Sequence, residues 1–216
     1  MVINVTFSVP QAKSGISSIK AHMVGTSVVT GPVITISLDS NENAFGPSPK
    51  ALAAAAAATD HLERYLENPA RILVQAIAET YQLDPERLAI GFGPDDILAR
   101  IARACLQPGT VLLRSQNSYL KVPNYAYAND AEAVAAPDRN FCTDVDAMLA
   151  NVTPETRIVY LANPDNPSGA MLPGEELRRL HAGIPAHVLL VIDGAYAEYV
   201  TDPAYETGEE LVRTNE

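Results

Sequence analysis

Two short apolar runs, Arg157–Ala162 and His187–Ile192, are separated by a turn cluster, Asn163-Pro164-Asp165-Asn166-Pro167-Ser168-Gly169, and by a segment opening Pro173-Gly174-Glu175-Glu176. Runs of this length suit strands buried on both faces, and the segment between them suits a crossover helix, so the pattern predicts a βαβ unit of a parallel sheet. Upstream, the same alternation of strand and helix continues. Further strands are predicted at Leu88–Phe92 and Thr110–Leu113. One helix is predicted from Ser48 as N-cap and Pro49 as first helical residue, continuing through the run Ala51–Ala58. A second covers Pro69–Tyr81, with Ile72, Leu73, Ala76, Ile77 and Thr80 on one stripe. A third opens at Gly93-Pro94-Asp95-Asp96 and buries Ile97, Leu98, Ile101, Ala102 and Cys105, and a fourth fits Asp144–Ala150. Arg114–Asn129 reads as irregular and Thr201–Glu216 as a polar tail without a further strand. Residues 1–37 offer no face to bury and read as a flexible N-terminal arm, with Val33–Leu38 a candidate short strand. The fold class expected is α/β, a mainly parallel sheet with helices on both faces.

With 216 residues, 47% of them apolar, the chain can bury a substantial core, and one large domain over 38–216 is expected. The net charge of −11 and the lack of any Lys/Arg-rich run exclude nucleic acid and anionic membrane as main partners, because phosphate contacts need clustered cations. No basic region followed by an apolar stretch opens the chain, and no apolar run reaches the ~18–20 residues of a membrane span. Cys105 and Cys142 read as reduced thiols. A soluble cytoplasmic protein is the expectation, and no metal is assigned.

The polar residues that need explaining follow the two strands. In open α/β sheets the carboxyl edge is where ligands bind. Asp193 could pair with a protonated ring nitrogen, bind a metal, act as a base, or cap the following turn. Asn166, between two prolines, could be a simple turn residue. Tyr119 and Tyr196 could be packing residues with satisfied hydroxyls. The junction Phe92-Gly93-Pro94-Asp95 is a weak phosphate signal by itself.

Taken in order, the motifs are more specific. They are Asn41-Glu42-Asn43-Ala44-Phe45-Gly46-Pro47-Ser48-Pro49, Arg64-Tyr65, Gly91-Phe92-Gly93-Pro94-Asp95-Asp96, the Asn163–Gly169 cluster, and Asp193-Gly194-Ala195-Tyr196-Ala197-Glu198-Tyr199. This series resembles the histidinol-phosphate aminotransferases, a branch of the fold-type-I enzymes that use pyridoxal phosphate, over roughly residues 38–200. The resemblance implies that 38–216 is part of a large cofactor-binding domain. It implies that Asp193 bonds the pyridine nitrogen and that Asn166 and Tyr196 bond the phenolic oxygen. Tyr119 stacks on the ring, and Gly93, Asp95 and Asp96 lie at the phosphate with their main-chain N–H groups. Tyr65 reaches the cofactor of a neighbouring subunit, so a homodimer is implied, and Asn43 belongs to the segment that closes over the substrate. The implied reaction exchanges an amino group between histidinol phosphate, or a similar amine or amino acid, and 2-oxoglutarate.

The chain also departs from that pattern. Family members carry a lysine, in a Ser-x-x-Lys type motif roughly thirty residues beyond the position of Asp193, that binds the cofactor covalently and moves the proton. The lysines here are Lys13, Lys20, Lys50 and Lys121, none in a matching context, so no catalytic residue is assigned. Pro94 takes a phosphate-loop position and lacks an N–H, Gly194 replaces the usual glutamate, and Arg114-Ser115-Gln116-Asn117 replaces a proline-rich approach to the stacking aromatic. The expectation is a truncated aminotransferase inactive alone. The alternatives are a non-catalytic cofactor-binding or dimerising relative, or a non-functional remnant whose sheet edges are left exposed.

Overall fold

The strands β1 (Val111–Ser115), β2 (Glu132–Ala136), β3 (Thr156–Ala162) and β4 (Leu189–Asp193) form one parallel sheet in the order β2-β1-β3-β4. The structure is a computed structural model describing residues 12–20, 40–63 and 70–214. The chain divides into two units, Met1–Lys20 with Gly91–Glu216, which holds the sheet, and Ala21–Ile90.

In the sheet-bearing unit, β1 and β3 are buried almost throughout, so they carry apolar side chains on both faces. Leu112, Ile158, Tyr160 and Ala162 face one layer, packed with Leu98 and Ala102 of α3 (Gly93–Cys105) and Val122 and Ala126 of α4 (Val122–Tyr127). Leu113, Val159 and Leu161 face the other. There they meet Val145 and Met148 of α5 (Val145–Ala150) and Leu177 and Leu180 of α6 (Gly174–Gly183). Each such large side chain contributes about 1.5–3 kcal/mol by leaving water. Helices on both faces of a parallel sheet are the expected fold class.

The chain runs from β1 outward to β2, then crosses back to β3 and continues to β4. The direction of winding therefore reverses between β1 and β3, and the reversal requires helices on opposite faces if crossovers keep one hand. The loops leaving the carboxyl ends of β1 and β3 diverge there and open a crevice.

Several expectations need correction. Residues 88–92 pair with no strand among the described residues; instead Phe92 is the N-cap of α3, its N–H donated to Asp96 Oδ2 at 3.0 Å. The stretch 114–129, read as irregular, contains α4. This helix has only six residues and carries Pro123 in its first turn, and its place is set by burial of Val122 and Ala126. β2 went unforeseen because Glu-Ala-Val-Ala-Ala has little intrinsic strand preference; its ladder with β1 makes it a strand. The polar tail contains a short helix, α7 (Glu209–Thr214). Residues 14–18, read as part of a flexible arm, form a 3₁₀ turn fastened to α4 and the loop after it. Gly15 N–H donates to Asp130 Oδ1 at 2.6 Å, and Asn124 exchanges hydrogen bonds with both backbone groups of Lys20. Val33–Leu38 lies outside the described residues.

The unit Ala21–Ile90 contains α1 (Pro49–Ala58) and α2 (Ala70–Tyr81). Ser48 caps α1 as expected, its Oγ accepting the Ala51 N–H at 3.1 Å. The expected buried stripe of α2 is displaced: Ile72 is 81% exposed and Leu73 50%, whereas Ala78 is covered. The stripe's periodicity marks an apolar face, but among the described residues little packs on its Ile72 side. No helix among the described residues is long and apolar enough to cross a membrane.

Candidate functional site

Asp193 ends β4 in register with Ala162, and the adjacent Asn163 N–H donates to the Asp193 carbonyl at 2.9 Å. The carboxylate is fixed by two donors. Tyr160 Oη–H reaches Oδ2 at 2.8 Å, and the Ala195 N–H reaches Oδ1 at 3.1 Å. Tyr160 is 1% exposed. Burial, and then the negative charge of Asp193, push its pKa well above the ordinary tyrosine value, so it remains a neutral donor. An ionised carboxylate has about four acceptor sites, so Asp193 can accept a further N–H from a ligand.

The loop after β3 is anchored from within. Buried Asn163 donates Nδ2–H to the Leu172 carbonyl at 3.0 Å and accepts the Leu172 N–H at 2.8 Å. Asp165 accepts from Ser168 Oγ–H at 2.8 Å and from Ser118 Oγ–H, which ties this loop to the one after β1. Asn166 Nδ2 lies 3.5 Å from Tyr196 Oη, at the long limit of a hydrogen bond, so the two polar ends stand side by side. Asp138 holds the loop after β1, accepting from Ser115 Oγ–H and from the N–H groups of Gln116 and Asn117 at 3.1 and 3.0 Å.

These constraints bring Tyr119 to the crevice, where its hydroxyl donates to Asp95 Oδ1 at 3.1 Å. Tyr125 Oη–H donates to the same oxygen at 2.7 Å, and Lys121 Nζ–H to Oδ2 at 2.6 Å. Burial acts to raise the Asp95 pKa, but hydrogen bonds from Lys121 and Tyr125 and the Lys121 charge outweigh it and hold the carboxyl below its ordinary value. Asp96 is held low by the Phe92 N–H and by Arg100, whose Nη2 lies 2.6 Å away. Gly93 adopts φ +79°, a left-handed conformation that admits glycine readily, and it starts α3 beside Pro94.

Of the residues expected at the site, Tyr119, Asn166, Asp193 and Tyr196 line one cavity of about 90 Å³, together with Pro94 and Tyr160. Gly93, Asp95 and Asp96 flank it in the first turn of α3. Asn43 belongs to the Ala21–Ile90 unit, where its Oδ1 accepts the Phe45 N–H at 2.9 Å, and Tyr65 lies outside the described residues. Tyr160, Lys121, Tyr125, Asp138, Asp165 and Asn163 were not singled out from the sequence. A polar atom within an otherwise apolar strand was the available signal for Tyr160. Lys121 and Tyr125 gave none, since their common partner is 26 and 30 residues away.

Residues 33–215 match the family model described as aminotransferase class I and II. The histidinol-phosphate aminotransferase of Rhodopseudomonas palustris (strain TIE-1) is 49% identical over 208 residues, covering 96% of this chain and 57% of the relative. That of Nitrobacter winogradskyi is 48% identical, covering 83% of this chain and 49% of the relative. Among solved structures, the Sinorhizobium meliloti histidinol-phosphate aminotransferase in complex with pyridoxal-5'-phosphate superposes with a TM-score of 0.74 at 32% identity, over 79% of this chain and 46% of that one. The chain thus spans about half the length of the curated relatives it matches.

Proposed function

We propose, because this chain belongs to the aminotransferase class I and II family, that its sheet-bearing unit is the pyridoxal-phosphate-binding part of an aminotransferase. Its amino donor would be histidinol phosphate or a similar amine, its acceptor a 2-oxo acid, and its assembly a cytoplasmic homodimer. The likeness to the histidinol-phosphate aminotransferases supports the donor, and the family pattern at Arg64-Tyr65 supports the dimer. The observation that carries the reading is the convergence of Asp193, Asn166, Tyr196 and Tyr119 on one cavity at the point where the sheet reverses.

The donor set fits the cofactor. Asp193 is a carboxylate with spare acceptor capacity, suited to a protonated ring nitrogen. Asn166 and Tyr196 present N–H and O–H donors, suited to a phenolic oxygen, and Tyr119 supplies an aromatic face. When bound, pyridoxal phosphate supplies the electron-accepting ring that lets an amine lose its α-proton. Asp193 would keep the ring nitrogen protonated. Tyr160 and the Ala195 N–H would hold the Asp193 carboxylate in the plane needed for that bond. Asn166 and Tyr196 would orient the ring in its plane, while Tyr119 excludes water from one face.

No lysine lines the cavity among the described residues, and Lys121 is engaged with Asp95. This observation favours, as a second reading, cofactor binding without transfer by this chain. A spectrophotometric titration with pyridoxal phosphate, followed by borohydride reduction and mass spectrometry, tests both. Saturable binding that weakens at least about tenfold in Asp193→Ala is expected. A reduced adduct on a single lysine would favour transfer, and its absence the second reading. No saturable binding by the wild-type chain would overturn both.

A further inference from the structure

The first turn of α3 presents two features that oppose a phosphate group. Helix N-termini attract anions through free N–H groups and the positive end of the dipole. Here Pro94 removes one N–H, and Asp95 and Asp96 add two negative charges. Each carboxylate is, however, matched by its own cation. Asp96 pairs with Arg100 one turn along the same helix, at 2.6 Å. The partner of Asp95 comes from elsewhere in the fold. Lys121, on the loop leaving β1, places Nζ 2.6 Å from Asp95 Oδ2.

The arrangement around Asp95 is directional. Tyr119 and Tyr125 both donate to Oδ1, leaving Oδ2 to Lys121. An ammonium has three N–H donors, more than one carboxylate oxygen takes. Tyr119, two residues before Lys121, lines the cavity, as does Pro94, the neighbour of Asp95. The Lys121–Asp95 pair therefore stands beside the cavity on its α3 side. We propose that Lys121 is the cation of the phosphate end: its ammonium bridges Asp95 and the phosphate of the bound cofactor, supplying the donor that Pro94 lacks. This rests on the reading of the cavity as a pyridoxal-phosphate site. It also assigns Lys121 a role other than covalent attachment. A nucleophilic lysine must be neutral, and a carboxylate at 2.6 Å favours the charged form.

The test compares pyridoxal phosphate, pyridoxal and inorganic phosphate by isothermal titration calorimetry on the wild-type chain, Lys121→Met and Lys121→Arg. Thermal melts establish that the variants are folded. Lys121→Met should bind pyridoxal phosphate about tenfold more weakly while its affinity for pyridoxal stays within about twofold of wild type. Lys121→Arg should recover most of the loss, because the guanidinium keeps the charge. The proposal falls if Lys121→Met binds pyridoxal phosphate like the wild type, or loses affinity for both ligands equally. It falls also if borohydride traps the cofactor on Lys121. Wild-type binding of pyridoxal phosphate no tighter than pyridoxal would sink Lys121 alone, whereas failure to bind either would sink the cofactor reading with it.

Discussion

The hydrogen bond from Tyr160 to Asp193 makes a prediction that needs no ligand. Tyr160→Phe keeps the ring, which is 1% exposed between β3 and the α3–α4 layer, and deletes the hydroxyl that donates to Asp193 Oδ2 at 2.8 Å. A hydrogen bond to a charged acceptor contributes about 1.5–3 kcal/mol. Asp193 keeps the Ala195 N–H and is partly exposed to water, so the net loss should fall at or just below the lower end of that range, about 1–2 kcal/mol at neutral pH. For a chain of this size that corresponds to roughly 2–8 °C in melting temperature.

The alkaline limb separates this loss from a simple packing defect. Burial and the Asp193 charge raise the folded-state pKa of Tyr160 above the unfolded value, near 10. Above that pH the unfolded chain releases the proton and the folded chain keeps it, so the folded state binds more protons and stability falls as pH rises. The stabilisation is complete below pH ~10 and declines by about 1.4 kcal/mol per pH unit above it. Phenylalanine has no proton to lose. Urea denaturation of both proteins at a series of pH values should show the gap at pH 8 closing by about 1.4 kcal/mol at pH 11. The other tyrosines affect both proteins alike, including Tyr125, whose pKa is raised by burial and then by Asp95. A gap that stays constant to pH 11 would mean that Tyr160 titrates as if exposed, and the buried Tyr160–Asp193 bond would be refuted.

Asn163→Ala should cost about 2–4 kcal/mol in urea denaturation, because it leaves the Leu172 N–H and carbonyl without the partners they now have; a loss under about 0.5 kcal/mol would refute the anchoring. Leu177→Ala, in a fully buried side chain of α6, should cost about 2–5 kcal/mol with an unchanged denaturant slope. Gly15→Ala would drive a Cβ into the Tyr127 carbonyl oxygen, so the 14–18 turn should detach from α4. Limited proteolysis should then cut near residue 15 faster, and an unchanged cleavage rate would contradict the packing.

The pattern of apolar runs was enough for the sheet's inner strands and for most helices. β1 runs Val111–Ser115 and β3 runs Thr156–Ala162, each within two residues of the run that predicts it, because a strand covered on both faces has little choice but to be apolar. α1 was marked by Ser48 and Pro49 and α3 by its stripe, both local signals. β2 and α4 were not legible because pairing and burial, rather than propensity, place them. Tyr119, Asn166, Asp193 and Tyr196 could be singled out because motif order, together with the rule of strand ends, puts them at one edge. Their supports could not: Asp138 acts on residues 21 to 23 positions earlier, and Asp165 reaches Ser118 across 47 positions.

That division has a mechanical meaning. Three of the side chains that would touch a ligand, Tyr119, Asn166 and Tyr196, belong to loops after three different strands, and a loop alone defines position poorly. Here the loop after β1 is fixed by Asp138, the loop after β3 by Asn163, and the two are joined by Ser118 and Asp165. Asp193 is fixed from beneath by a tyrosine of the central strand. Loss of one support should therefore displace a contact without removing it, and an error of an ångström in aligning donors can weaken a bond as surely as deleting it. Lys121 is carried by the same loop that Asp138 holds. The charge balance at the first turn of α3 thus depends on a carboxylate after β2, a coupling that only the strand order β2-β1-β3-β4 brings about.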